Sequence, residues 1–541
     1  MTSAAAARLA RLAGHALLAG ALFFGGILRL ASARVGDGAD GFWNDEWEYY
    51  GIGAQLAETG QFRPYPGWIP TAFRMPLYPS AISVVRRAAP GISALRVAQA
   101  LADECAVAAV YAAASLLGGG LAGGAAAAFY AFFDPAIEQV RFPRIETFFG
   151  LLTILALCAW IDAARRKGGN RVLCAAALLG IALSCRSTLF LLPPFLALLP
   201  EARGWKARLK TLAVAVLGGY LLLLPWTLRN AALFGAFIPF ENGAVSLNLW
   251  GASVGLLENP KIPELMRSAE HRGFLAQAQK ASDLERPRVF LQESLRNIRR
   301  RPLPFILNAF RRLPMLWREQ WPLILLALPL LLRRRMPKGT GVVFLLIAGF
   351  SLHAVMGVTP RYARPAAGTV CVAAGVGLLL ALRLTGVALG RGRGRRRVVP
   401  FGRARAWGWP GEAAKAAAAA AACVWLVCAA QLLGEAWHRR GRAHLPSEYL
   451  SSPDRYASLK RANSLAVDFA FRGGLPEAEI ALSELLQREP GFGEALLNRA
   501  LLRRLTGDRN GAARDYREML SRLEFPRGAA DPVLMARLSQ F

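Results

Sequence analysis

The sequence predicts an all-α membrane protein with a polytopic domain over residues 1–435 and a small α-helical repeat domain over residues 446–541. Of the 541 residues, 54% are hydrophobic, and apolar runs close to the ~20 residues that cross a bilayer recur along the first part. Most of the excess arginine lies in short loops between these runs, which is the charge bias of multi-pass membrane proteins. A polar tail follows the last run, so the chain divides into two parts.

We expect about eleven spans, counted as runs near the length that crosses a bilayer. The stretch 172–200 is too long for one straight span and contains Pro193-Pro194, so it is counted as two short or broken helices. Such breaks occur at membrane depth only where they line protein or a water-filled cavity. The first run follows Arg8 and Arg11 and resembles a signal peptide, but its length and the lack of a clear cleavage site favour an uncleaved span. The predicted spans are 9–33, 95–117, 121–133, 142–161, two within 172–200, 211–228, 322–332, 341–358, 366–384 and 413–434.

The basic loops set the orientation, because short loops rich in arginine and lysine stay in the cytoplasm. This rule places the first loop (34–93), the long loop (229–319) and the tail on the extracytoplasmic side. The net charge of +30 would point to nucleic acid in a soluble protein. Here the membrane charge bias explains it, and no nucleic-acid partner is expected. The loops assigned to the cytoplasm are 8–11, 165–171, 203–210, 333–338 and 383–405.

The seven cysteines all lie inside apolar stretches. None of them forms a Cys-x-x-Cys pair or a Cys/His cluster, so neither a disulfide framework nor a zinc site is predicted. We interpret them as small packing residues.

The tail contains a spacing of 34 residues, from Gly473 to Gly507 and from Ala478 to Ala512. This period resembles tetratricopeptide repeats, in which pairs of helices stack on one another. Two units are fewer than the usual three, so flanking helices near 447–470 and 528–540 are expected to cap them. The tail is predicted to dock an acceptor or a partner protein and to carry no chemistry.

Two adjacent acids, Asp45 and Glu46, stand at the start of the first loop. A carboxylate pair next to a bilayer suits acid/base chemistry or metal binding. The alternative is a helix start, with Asn44 as the N-cap and both acids favoured by the helix dipole. Glycine and proline interrupt the rest of the loop, which predicts short helices at a membrane face.

Further charges lie at the predicted outer ends of spans. Glu146 follows Arg141 and Arg144, and an acid beside two cations either shapes an anionic site or forms a simple interfacial cluster. Arg361-Tyr362 lies at the mouth between two later spans. Arginine suits bidentate phosphate binding and tyrosine adds a hydrogen bond, whereas the alternative is an arginine that reaches the lipid headgroups.

Charged residues within spans are functional hypotheses by default. For Asp103 and Glu104 we favour a salt bridge with Arg96 or a neighbouring helix. Arg186, in the broken 172–200 stretch, is expected to find an anion or reach an interface.

Several segments of the chain together form a recognisable pattern. They are Asp45, Glu46, Tyr49, Ala54, Leu56, Thr59, Gly60, Arg74, Pro76, Leu77, Tyr78 and Pro79, then Ile145–Phe149, Pro225–Asn230, the Phe-Gly-Ala-Phe-Ile-Pro and Asn-Gly that follow it, and Arg361-Tyr362. This pattern resembles the GT-C membrane glycosyltransferases, in the bacterial protein-mannosyltransferase-like branch related to aminoarabinose transferases (glycosyltransferase families 39 and 83). The resemblance covers about residues 9–385. Arg74-Met75-Pro76 stands where Arg-Pro-Pro is usual, which leaves the acceptor open.

The resemblance implies a polyprenyl-phosphate-linked sugar donor, used on the outer face of a bacterial inner membrane, and Asp45 as the base that deprotonates an acceptor hydroxyl. Glu46 is expected to orient Asp45. Breaking a sugar–phosphate bond also requires cations at the departing phosphate. No metal ligands of defined spacing are found, so no metal site is assigned, although hard carboxylate oxygens leave a divalent cation possible. The expected substrate-binding residues are Arg74, Tyr78, Arg141, Arg144, Glu146, Arg361 and Tyr362.

Two other classes of function stay open at this point. Broken helices and buried charges also suit a transporter or flippase of lipid-linked sugar. A membrane-anchored scaffold with the tail as its working part is the third hypothesis. The sequence leaves open which sugar is moved and whether the acceptor is a protein, a lipid or a glycan.

Overall fold

The computed structural model describes residues 3–35, 44–63, 70–166, 169–196, 204–255, 284–331, 336–389, 409–444 and 473–522 except 491, together with scattered positions in 273–282 and 459–470. Helices are the regular elements of this described part, which confirms the predicted all-α class.

The α-helices before the tail are numbered here in chain order. They are α1 (Ser3–Arg34), α2 (Asn44–Glu58), α3 (Leu77–Ala88), α4 (Ile92–Gly118), α5 (Gly120–Ala131), α6 (Asp134–Gln139), α7 (Ile145–Arg165), α8 (Gly169–Cys185), α9 (Leu192–Phe195), α10 (Trp205–Tyr220), α11 (Leu224–Phe234), α12 (Ala244–Ser253), α13 (Arg286–Arg300), α14 (Pro302–Leu316), α15 (Trp321–Ala327), α16 (Thr340–Ser351), α17 (Ala367–Leu389) and α18 (Trp409–Arg439). Short 3-10 helices cover Ser187–Leu189, Leu221–Leu223, Leu328–Leu330, Leu352–Val355 and Pro360–Ala366.

Six helical stretches of the described residues are long and apolar enough to cross a membrane, and four shorter apolar helices accompany them. The chain is therefore a multi-pass membrane protein, as predicted, while the number of eleven spans stays a prediction. The six long stretches are Arg8–Arg34, Ile92–Gly118, Ile145–Arg165, Trp205–Phe234, Pro360–Leu384 and Ala414–Arg439.

Small residues let α1 and α5 pack at close range. A Cβ added to Gly14 would lie 2.2 Å from the backbone oxygen of Gly120, and one added to Gly124 would lie 2.8 Å from the backbone oxygen of Gly14. Membrane helices lack a hydrophobic drive toward one another, so close backbone approach of this kind supplies their packing energy. The Gly- and Ala-rich sequence of α5 is explained by this contact.

The acid pair inside α4 belongs to a buried ion pair. Arg29 of α1 donates to Asp103 at 2.6 Å, and Tyr130 donates to the other oxygen of Asp103 at 2.7 Å. Glu104 lies farther from Arg29, at 3.7 Å. The structure thus shows the predicted salt bridge with a neighbouring helix, whereas Arg96 donates to the backbone oxygen of Arg141.

The 172–200 stretch is broken into separate helices in its described part, as predicted. Helix α8 ends at Cys185, Arg186 has an extended backbone, and a 3-10 turn precedes α9. This interruption directs the Arg186 side chain toward α7 and away from the lipid, as described below.

The first loop folds into α2 and α3, which pack against each other so closely that a Cβ on Gly53 would lie 2.4 Å from Ile82. Arg229 of α11 binds the segment between them. Its guanidinium donates to the backbone oxygens of Thr71 and Phe62 at 2.7 and 3.2 Å. Arg229 also pairs with Glu435 of α18 at 2.8 Å. The loop is therefore fixed to two membrane helices.

The predicted long loop (229–319) is largely helical in its described part, where it contains α12, α13 and α14. The last of these helices carries an exposed apolar stripe, which is described below.

The described part of the tail contains three further helices around their own core. The predicted repeat positions correspond, since Ala478 and Ala512 are both buried and Gly473 and Gly507 both have left-handed backbones that end a turn. Assignment to the tetratricopeptide class stays a prediction, and the proposed capping helix near 528–540 lies outside the described residues. The helices are α19 (Leu475–Arg488), α20 (Gly493–Leu505) and α21 (Arg509–Arg522).

Candidate active site

Asp45 lies in the first turn of α2 and is held between two arginines from distant parts of the chain. Its Oδ1 accepts from Arg74 at 2.5 Å, and its Oδ2 accepts from Arg361 at 2.6 Å. About 29% of the Asp45 side chain remains exposed. The carboxylate is therefore fixed in place and still accessible.

Arg74 and Arg361 each bridge Asp45 to a second carboxylate. Arg74 donates through Nε to Glu48 at 2.8 Å, and Arg361 donates through Nε to Glu146 at 2.6 Å. Both acids are almost fully buried. This chain of charge-assisted hydrogen bonds joins the first loop to α7 and to the 3-10 helix Pro360–Ala366.

The other predicted acid, Glu46, points to a different cation. It is buried and accepts a short hydrogen bond from Arg144, whose guanidinium also lies 4.4 Å from the centre of the Phe142 ring. Glu46 therefore fixes the start of α2 against the segment before α7, which is consistent with an orienting role.

A second layer surrounds Glu146. Its Oε2 accepts from Gln139 at 3.2 Å, and its Oε1 accepts from Arg186 at 3.4 Å. The guanidinium of Arg186 also lies 5.3 Å from the ring centre of Tyr362. The ring of Tyr362 also stacks on that of His353, with the ring centres 5.1 Å apart. Arg186 is the most weakly bonded arginine of the cluster, since its single ion-pair contact in the described residues is a long one.

Three acidic and three basic side chains thus form one linked cluster among the described residues, namely Asp45, Glu48 and Glu146 with Arg74, Arg186 and Arg361. Glu46 and Arg144 form a separate ion pair, which begins at the residue next to Asp45.

The electrostatics of Asp45 follow from this arrangement. Burial disfavours its charged form, but the guanidinium groups of Arg74 and Arg361 outweigh that effect, so the pKa of Asp45 is held well below its usual value. Asp45 is therefore ionised at neutral pH, and in this state it is a weak proton acceptor.

Two of the predicted substrate-binding residues make their hydrogen bonds or ion pairs outside the cluster. Tyr78 is buried and donates to Gln99, which in turn donates to the backbone oxygens of Val140 and Phe142. Arg141 pairs with Glu138 at 2.8 Å. The other predicted site residues are Asp45, Glu46, Arg74, Arg144, Glu146, Arg361 and Tyr362, and the structure brings these together.

Sequence reasoning left Glu48, Gln139 and Arg186 out of the predicted site. Glu48 could have been found, because it lies three residues after Asp45 and hence on the same face of a helix. Arg186 was singled out as a charge within a span, but nothing in the sequence indicated its partner. Gln139 carries no sequence signal.

Within the ranges that the structure describes, no group of three or more His, Cys, Asp or Glu side chains has the arrangement of a metal site. The carboxylates of the cluster face guanidinium groups instead. The divalent cation that the sequence left open stays a prediction.

Residues 87–228 match the family described as dolichyl-phosphate-mannose-protein mannosyltransferase. This match covers about a quarter of the chain and includes α4, α7 and the Arg186 break. This part of the chain is therefore similar to a family of protein mannosyltransferases, in agreement with the resemblance found in the sequence.

Solved structures with a similar arrangement of helices include the oligosaccharyltransferase of Archaeoglobus fulgidus with a tethered acceptor peptide, at 14% identity and a TM-score of 0.44, covering 83% of this chain and 57% of that one. The ArnT protein of Cupriavidus metallidurans bound to undecaprenyl phosphate is 15% identical, with a TM-score of 0.41, over 84% of this chain and 79% of that one. The archaeal AglB protein with an inhibitory peptide and a dolichol-phosphate has 15% identity, a TM-score of 0.42 and coverages of 83% and 58%.

The chain thus spans somewhat more than half the length of the archaeal oligosaccharyltransferase. Identities of this size give no residue-by-residue correspondence. A comparison with curated protein sequences gave no match.

Proposed function

We propose that this chain transfers a sugar from a polyprenyl-phosphate-linked donor to an acceptor hydroxyl or amine on the extracytoplasmic face of a bacterial inner membrane, with inversion at the anomeric carbon. The observation that carries this proposal is the exposed Asp45 carboxylate held by Arg74 and Arg361. The neighbours that bind undecaprenyl phosphate and dolichol-phosphate agree with a lipid-linked donor. The arginine-rich short loops support the orientation.

In this mechanism Asp45 removes the proton from the acceptor group. The acceptor atom attacks the anomeric carbon from the face opposite the phosphate, and the bond between that carbon and the phosphate oxygen breaks. The electron pair of this bond leaves with the phosphate. Negative charge builds up on the phosphate in the transition state, so guanidinium groups next to it stabilise the reaction.

The low pKa of Asp45 suggests how donor binding and base strength are linked. While Arg74 and Arg361 bind Asp45, the carboxylate is a poor base. A donor phosphate competes for the same guanidinium groups, since arginine binds phosphate as readily as carboxylate. Loss of these bonds raises the proton affinity of Asp45, so the base becomes active once the donor is bound.

Arg186 is the best candidate for the first phosphate contact. Its bond to Glu146 is 3.4 Å long, against 2.6 Å for that of Arg361. Moving Arg186 to a phosphate therefore breaks one long ion pair, whereas moving Arg361 would break two short ones. Arg361 and Tyr362 complete this side of the proposed phosphate site.

The test compares Asp45→Asn with Glu58→Gln, a matched control at the other end of α2 whose exposed carboxylate pairs with Arg86. Surface glycans, glycolipids and glycoproteins are analysed by mass spectrometry in cells that lack the chain or carry one variant. We expect Asp45→Asn to lower product by about 10²–10⁴-fold and Glu58→Gln to behave as wild type. Full product with Asp45→Asn at equal protein level would remove Asp45 from the mechanism.

A second experiment, on purified protein, distinguishes a transporter from a transferase. Purified protein is mixed with a lipid extract that contains the endogenous donors and acceptors, and free carrier lipid is measured. A transferase releases the sugar from its carrier, whereas a flippase leaves the donor intact.

Deleting residues 446–541 distinguishes a transferase from a scaffold. Transfer to a simple acceptor is expected to survive the deletion, whereas a scaffold would lose all function.

A further inference from the structure

Helix α14 presents an apolar stripe to its surroundings. The side chains of Leu303, Ile306, Leu307 and Phe310 are 63%, 48%, 47% and 65% exposed. Their spacing of three, four and seven residues puts them on one face of the helix. In a protein surrounded by water such a contiguous apolar face would be costly, so it points to a partner that is itself apolar.

The opposite face of α14 is anchored to the membrane domain, which fixes the direction in which the stripe points. Arg312 is buried and donates to the backbone oxygens of Ala252 and Ala354 at 3.1 and 3.3 Å. Leu316 is also buried. Arg312 follows the centre of the stripe by about one and a half turns at ~100° per residue, which places it on the opposite side of the helix. The stripe therefore faces away from the protein core.

Unpaired positive charge accompanies the stripe. Residues 286–316 contain eight arginines, no lysine and one acid, Glu293. Glu293 forms an ion pair with Arg296 at 2.7 Å. Five further arginines are exposed and have no acidic partner among the residues that the structure describes. These are Arg288, Arg299, Arg300, Arg301 and Arg311.

Helix α13 repeats the pattern on a smaller scale. Leu291 and Leu295 are exposed one turn apart, while Phe290 and Ser294 are buried against the domain. The two helices meet at Arg299–Arg301, so the basic segment lies at the junction of two helices that both expose leucine.

The position along the chain ties this helix pair to the bilayer surface. One turn after α14, at Trp321, begins an apolar helix that runs to Leu330 and exposes Trp321 and Leu325. Between them, Glu319 binds Arg364 with two hydrogen bonds of 2.9 Å. Arg364 is three residues from Arg361, so the pair lies at the same membrane surface as the candidate active site.

We infer that α13 and α14 lie in the plane of the membrane interface, with the apolar stripe in the acyl boundary and the exposed arginines bound to the phosphates of anionic phospholipids. An amphipathic helix with a basic margin binds in this way because apolar burial and headgroup attraction add. The occupant of the stripe is bilayer lipid. This inference does not depend on the proposed transferase activity.

The test places a nitroxide label at single cysteines in the full chain, in vesicles of phosphatidylcholine with a minor fraction of phosphatidylglycerol. Exposed native Cys174 and Cys423 are first replaced by serine. Labels at Ile306→Cys and Phe310→Cys are compared with Phe23→Cys on α1 as the lipid reference and Glu484→Cys in the tail as the water reference. Collision with dissolved oxygen reports lipid, and collision with a water-soluble nickel complex reports water.

We expect both stripe labels to collide with oxygen as the Phe23 label does and to be shielded from nickel. Accessibility to nickel like that of the Glu484 label would overturn the inference. Shielding from both reagents, which indicates a protein partner over the stripe, would overturn it as well.

The headgroup contact is tested by native mass spectrometry of phosphatidylglycerol that stays bound to the purified protein. The triple variant Arg299→Gln, Arg300→Gln, Arg301→Gln is expected to retain at least about five-fold less, which is the factor that corresponds to the ~1 kcal/mol contributed by one arginine near an anionic surface. The charge-matched control is Arg509→Gln, Arg514→Gln, Arg517→Gln in the tail. Equal retention by both triple variants would exclude the anionic contact.

Discussion

The buried pair of Arg229 and Glu435 allows a quantitative test of what holds the first loop in place. Arg229 is fully buried and Glu435 is 8% exposed at its side chain. Replacing Glu435 by Gln leaves an uncompensated guanidinium in the interior. Removing one partner of a buried pair costs about 3–5 kcal/mol.

The structure favours the lower end of this range. Arg229 keeps three further acceptors after the substitution, namely the backbone oxygens of Thr71 and Phe62 and the side-chain oxygen of Asn230. We therefore expect a loss of about 3 kcal/mol, equivalent to roughly 3 °C in the midpoint of thermal unfolding for a chain of this length. Transfer activity is expected to fall as well, because the Thr71 segment leads directly to Arg74.

The assay is thermal unfolding of detergent-purified variants, followed by the fraction that still elutes as a monodisperse peak. Glu412→Gln serves as the control, because Glu412 lies on the same helix and pairs with Lys415 in an exposed position. It is expected to change the midpoint little. The double variant Arg229→Met, Glu435→Leu removes both charges but also leaves the backbone oxygens of Thr71 and Phe62 without their donor, so it should be less destabilised than the sum of the two single variants Arg229→Met and Glu435→Leu. A midpoint for Glu435→Gln equal to that of the control, or a double variant as destabilised as that sum, would refute the buried pair.

Three more predictions concern charge. Arg361→Gln removes hydrogen bonds to two carboxylates at once, so transfer should fall by at least ~10²-fold, measured as product per molecule of protein beside an Arg440→Gln control. The pKa of Asp45 is lower in the folded chain than the usual ~3.9, so its contribution to stability is present above about pH 4 and is lost as the pH falls toward the folded pKa. The difference in unfolding midpoint between wild type and Asp45→Asn should shrink below that pH, and a constant difference would contradict the ion pairs. Asp103→Asn should destabilise the fold more than Glu104→Gln, since Asp103 contacts Arg29 at 2.6 Å and Glu104 at 3.7 Å; equal midpoints would contradict this order.

The amino-acid sequence by itself determined the class of the protein. Bilayer spans and loop charge are local signals, because lipid requires a continuous apolar run of fixed length and the arginine bias is read loop by loop. The acid pair at the start of α2 and the break before α9 were also visible, since adjacent carboxylates and Pro-Pro are features of neighbouring residues. These signals need no knowledge of what lies nearby in space.

Tertiary structure alone decided the partners. Asp45 and Arg361 are separated by 316 residues. From the sequence, several other arginines at span ends were equally good candidates for the partner of Asp45. In the structure Arg141 forms an ion pair with Glu138, and Arg186 forms one with Glu146. Helix packing decides which of these side chains meet. It also shows that the apolar residues of α14 are exposed. A pattern with the spacing of one helical face indicates amphipathicity, but whether that face meets protein or lipid depends on where the whole fold places it.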